Sequence, residues 1–86
     1  MPSRDFEMQQ LSLADRHIDR AQQIVADQQL EVERLRLKGY ASDLAERILK
    51  VFEDSLQAMY QHRNLIIRAI EQIDQELLPR SDEVIE

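Results

Sequence analysis

Only three residues in this chain interrupt a helix readily, and their positions set its outline. Proline stands at 2 and 79, and the one glycine is Gly39. Proline lacks a backbone donor, and glycine has no side chain to restrain its backbone, so helices end at such residues. The two long stretches between them are rich in Ala, Leu, Gln, Glu and Arg, which favour helix. The pattern predicts helix, turn, helix and a short tail, an all-α chain.

The first stretch carries Leu11, Ala14, Ile18, Ala21, Val25, Gln28, Val32 and Leu35 in alternating steps of three and four. That is a heptad seam with one polar break. Its start is placed between Asp5 and Ser12; Ser12 with Asp15 has capping-box spacing, and Ser3 would cap an earlier start. Leu37-Lys38-Gly39 reads as a stop, because Gly takes the left-handed conformation and Lys38 suits the negative helix end. Ser42 or Asp43 caps the second helix, which runs to Leu78 before Pro79. The helices are predicted at about 8–38 and 42–78. Residues 1–10 are expected to be a partly ordered N-terminal segment, 11–78 the hairpin domain, and 79–86 a mobile acidic tail.

A turn this short makes the helices antiparallel neighbours. Matching the seams outward from the turn sets Leu35 opposite Ile48, Val32 opposite Val51, Val25 opposite Ala58 and Ile18 opposite Leu65. At about 100° per residue, the first helix's apolar arc spans roughly 140° and the second's roughly 200°. One neighbour cannot cover the wider arc. One edge of it carries Val51, Ala58 and Leu65, and the other carries Leu49, Leu56 and Ile67. Leu30 and Leu37 form a further pair on the back of the first helix. Two helices make a thin core for a chain this short. The expectation is a homodimer forming a four-helix bundle. Its interface would use Leu30 and Leu37 with Leu49, Phe52, Leu56, Met59, Ile67 and Ile70 of the second helix.

Five polar residues fall inside the apolar arcs: His17, Gln28, Ser55, His62 and Arg63. The matched register sets Gln28 opposite Ser55, a pair suited to fixing register by a buried hydrogen bond. Arg63 either lies flat with its guanidinium at the edge or pairs with a carboxylate of a second chain. His17 and His62 fall about one turn apart across the hairpin. They are candidate metal ligands, but no carboxylate has the Glu-x-x-His spacing of di-iron bundles. Structural histidines are the simpler expectation.

Composition excludes several function classes. With no Cys there is no disulfide framework, thiolate metal site or Cys nucleophile. The chain has 11 Lys and Arg against 17 Asp and Glu, a net charge of −6. Residues 1–38 hold 6 basic and 7 acidic side chains, residues 39–78 hold 4 and 7, and residues 79–86 hold 1 and 3. No segment has the basic footprint that nucleic acid or an anionic membrane surface requires. A single Gly excludes Gly-rich phosphate loops. No Ser has a His or Lys spaced to activate it, so no catalytic residue and no cofactor is assigned, and an enzyme is not expected. The start, Met1-Pro2-Ser3-Arg4-Asp5-Phe6-Glu7, lacks the apolar stretch of a secretory signal. The longest apolar cluster, Leu65-Ile66-Ile67, stops at Arg68, where a membrane span needs about 20 apolar residues. The expected location is cytoplasmic, with no membrane or nucleic-acid partner.

Ala14-Asp15-Arg16-His17-Ile18, Gly39-Tyr40-Ala41-Ser42-Asp43-Leu44-Ala45-Glu46, Phe52-Glu53 and His62-Arg63 together resemble a group of small uncharacterised bacterial proteins. Those have two long helices joined at a Gly-[His/Tyr]-x-[Ser/Thr] turn. The likeness covers about residues 11–70 and implies that Ser42 is the cap. It also implies that His17 and His62-Arg63 are features of the group. It carries no activity. The functional expectation is a non-enzymatic, self-associating helical interaction or regulatory protein, with itself as the main partner and an unidentified protein as another. The alternative is a small-ligand or metal-binding bundle using His17 and His62.

Overall fold

A computed structural model describes residues 3–77. It contains two helices, α1 (Arg4–Leu37) and α2 (Asp43–Leu77), packed against each other as a hairpin. The acidic tail expected at 79–86 lies outside the described residues.

Local chemistry accounts for each end. α1 starts earlier than its seam suggests, so most of the segment expected to be partly ordered is helix. Ser3 is in extended conformation, and its hydroxyl oxygen accepts from the Phe6 amide at 3.0 Å. Asp5 and Glu7 in the first turn suit the positive end of the helix dipole. The Ser12 start is therefore not used. At the other end the Gly39 amide donates to the Arg36 carbonyl at 3.1 Å and the Tyr40 amide to the Leu35 carbonyl at 2.9 Å. This crossed pair, with Gly39 at φ +73°, is a Schellman stop. Ser42 precedes α2, and its hydroxyl donates to a Glu46 carboxylate oxygen at 2.7 Å. The Ser42 hydroxyl and the Arg36 guanidinium hold the Glu46 carboxyl below its ordinary value.

The core is thin. Its buried residues are small or β-branched: Ala14, Ile18, Ala21, Val25 and Val32 on α1, and Ala45, Ile66 and Ile70 on α2. None is fully enclosed, because each helix has one neighbour and its other faces meet water.

The structure changes the register expected between the seams. Leu49, Phe52, Leu56, Met59 and Ile67 are half-buried, and Ile70 is buried with Ala14 and Ile66. These expected interface residues lie on or beside the α1-facing side of α2. Val51 and Leu65, expected opposite Val32 and Ile18, are 63% and 61% exposed. Ile48 and Ala58 are exposed too. The two edges of α2 have therefore exchanged roles.

Polar side chains supply the physical reason. Arg4 Nε donates to Asp74 Oδ1 at 2.7 Å, and Arg63 Nε donates to Asp15 Oδ1 at 2.5 Å. Gln22 Nε2 donates to the Tyr60 hydroxyl at 2.5 Å, and an Arg36–Glu46 ion pair closes the turn end. Together these bonds latch one long edge of the hairpin. Turning α2 the other way would separate all four pairs. Each exposed ion pair is worth only about 0.2–1 kcal/mol; the edge turned toward α1, Leu49, Leu56 and Ile67, also carries more apolar side chain than Val51, Ala58 and Leu65, so burial and the polar latch favour the same rotation.

Candidate functional site

α2 carries two apolar faces, and α1 covers one of them. The other runs through Leu44, Ile48, Val51, Ser55, Ala58, His62 and Leu65. Its steps alternate between four and three residues, which is the period of a coiled-coil seam. Among these, Leu44 is 64% exposed, Val51 63%, Leu65 61% and Ile48 36%. The stripe is about 32 Å long at 1.5 Å per residue. It holds no Asp, Glu, Lys or Arg, although such residues make up 33% of the chain.

Two open grooves lie along this stripe. One, of about 240 Å³, is lined by Ala14 and His17 of α1 and by Ser55, Ala58, Met59 and His62 of α2. The other, of about 380 Å³, is lined by Leu44, Arg47, Ile48, Val51 and Phe52. The first has the small residues Ala14, Ser55 and Ala58 in its lining. The second has large aliphatic walls.

The flanks of the stripe differ in character. Toward α1 lie Ala45, Phe52, Met59 and Ile66, which are buried or half-buried. On the outer flank lie Arg47, Asp54, Gln61 and Arg68, all exposed. Lys50 on the outer surface donates to Asp54 Oδ1 at 2.8 Å, which raises the Lys50 pKa above its ordinary value.

Of the polar residues in the apolar arcs, Gln28 departs from the expected pairing with Ser55. Gln28 Nε2 donates to the Ala45 carbonyl oxygen at 2.9 Å, leaving Ser55 free to line the groove. Gln28 thus joins the helices near the turn by a bond to backbone. Arg63 reaches the edge of the hairpin, where its guanidinium pairs with Asp15 of its own chain. His17 and His62 do come together on one groove. Among the described residues, no group of three or more His, Asp or Glu is arranged to hold a metal ion. Leu30 and Leu37, 63% and 88% exposed, sit on the back of α1 away from this face.

What the sequence reading missed is the identity of the vacant face. Both edges of α2 are apolar, so periodicity alone could not rank them. The available signal was Arg63 with Asp15, an unlike-charge pair that only one rotation of α2 brings together.

No described helix is long and apolar enough to cross a membrane. Comparison with protein-family models, curated proteins and solved structures finds no match. The class is thus set by the fold: an antiparallel α-helical hairpin with one unpartnered seam.

Proposed function

We propose that this chain is a non-enzymatic helical interaction protein that works by self-association, two hairpins joining through the open face of α2 into a four-helix bundle. The observation that carries the reading is the uncharged heptad stripe from Leu44 to Leu65. A stripe of that period is the surface a further helix covers. Exposed apolar surface of this extent beside a thin core is normally covered. A second copy suits it because it brings the same apolar stripe, which holds no carboxylate. Two chains of net charge −6 meet with least repulsion where no carboxylate stands. The vacant face replaces Leu49 and Leu56, which serve the hairpin itself, as the anchor of association.

The test is absolute mass in solution by light scattering over a concentration series, with metal analysis of the same peak. The expected result is a two-chain mass without stoichiometric metal. A one-chain mass throughout the micromolar range would remove the self-associated reading. Stoichiometric metal lost in His17→Ala or His62→Ala would favour a ligand-binding bundle instead.

A further inference from the structure

We infer that two copies join α2 to α2 in antiparallel fashion, about a two-fold axis that passes between Ser55 and Ala58. This rests on the self-association proposed above and gives it a geometry. It follows from how the two flanks of the open stripe are distributed.

In an antiparallel pair of seams, like flanks meet: each apolar flank lies beside the partner's apolar flank, and each polar flank beside the partner's polar flank. Here that brings Ala45, Phe52, Met59 and Ile66 of both copies to one side. That is also the side where both α1 helices stand, so the four helices close around a shared apolar interior. Arg47, Asp54, Gln61 and Arg68 of both copies then share the outer, solvated side. A parallel pair does the opposite. It sets each charged flank against the partner's apolar flank, which α1 already half covers. Arg47, Asp54 and Arg68 would lose water there without gaining a partner.

The order of side-chain sizes along the stripe agrees. Antiparallel layering pairs Ser55 with Ala58 of the second copy at the centre, where small side chains let the helices approach. Moving outward, Val51 meets His62 and Ile48 meets Leu65, so every central residue of the stripe has a counterpart. An isologous contact requires this: the patch must complement itself after a half-turn. Because the two His62 side chains sit in symmetry-related layers, each is at the side of a Val51 rather than against the other.

The absence of cysteine from the chain makes the geometry directly readable. Val51→Cys and His62→Cys variants are prepared separately, checked for parent helicity and two-chain mass, then oxidised alone and as a mixture. The expected result is a covalent dimer in the mixture at a yield at least tenfold above either variant alone. Ile48→Cys mixed with Leu65→Cys reports the next layer and serves if the first pair perturbs folding. Efficient linking of each variant to itself, with no cross-link between the two different variants in the mixture, would mean a parallel pair and overturn the geometry while leaving self-association standing. A two-chain mass with no linking in either mixture would also overturn it, by moving the contact to another face. A one-chain mass of the unmodified protein would remove the self-association on which it rests.

Discussion

Leu65→Glu separates what a side chain does for the hairpin from what it does between copies. Leu65 is 61% exposed. Fully burying a leucine is worth about 1.5–3 kcal/mol. The covered two-fifths therefore contributes about 0.6–1.2 kcal/mol to the hairpin, and the substitution costs the isolated chain little more than that. The exposed three-fifths, about 1–2 kcal/mol, is available to a partner copy. A two-fold dimer contains the residue twice, so dimerisation loses about 2–4 kcal/mol. At about 1.4 kcal/mol per decade, the dissociation constant rises roughly 30- to 1,000-fold. Burying the new carboxylate only adds to the loss. Sedimentation equilibrium across a concentration series measures the constant, and far-ultraviolet circular dichroism confirms the helices. Leu37→Glu is the control: Leu37 is 88% exposed on the back of α1, and its substitution leaves the constant unchanged. A Leu65→Glu constant within about fivefold of the parent, with helicity intact, would refute the reasoning, since fivefold is only about 1 kcal/mol.

Other expectations concern the hairpin alone. Asp15→Ala breaks the bond to Arg63 and lowers stability by about 0.2–1 kcal/mol; a thermal melt reads this, and the mass stays unchanged because the pair lies on the latched edge. Gly39→Ala has open space for its methyl group but must hold φ +73°, a cost of about 1–2 kcal/mol. Its melting temperature should fall by roughly 4–16 °C. Glu46 has its folded pKa lowered, first by the Ser42 hydroxyl and then by Arg36. Its contribution is therefore present above the ordinary value of 4.5 and is lost as pH falls through the lowered folded value. Thermal stability should decline from about pH 5 to pH 3, and less steeply in Glu46→Gln. An equal slope in that variant would assign the acid sensitivity elsewhere.

The linear pattern of residues determined the architecture of this protein. Gly39 is the only glycine between the prolines and takes the left-handed conformation most cheaply, so the chain turns there. The three-four ladders on either side make amphipathic helices whatever they later touch. The width of the α2 arc also follows from residue order, and it exceeds what α1 covers, leaving Leu44, Val51 and Leu65 exposed. Two features were beyond it. The start of α1 depends on the Ser3 hydroxyl accepting one amide bond, and Ser12 offered the same chemistry. The face that α2 leaves open depended on its rotation against α1, and both edges, Leu49, Leu56 and Ile67 on one side and Val51, Ala58 and Leu65 on the other, are apolar at the same period. Periodicity gives both edges the same rank, although burial favours the larger one, Leu49 with Leu56 and Ile67. The same rotation also forms bonds between residues far apart in sequence, Arg4 with Asp74, Asp15 with Arg63 and Gln22 with Tyr60. Such bonds exist only when the two helices are already set side by side, and that juxtaposition belongs to the tertiary structure.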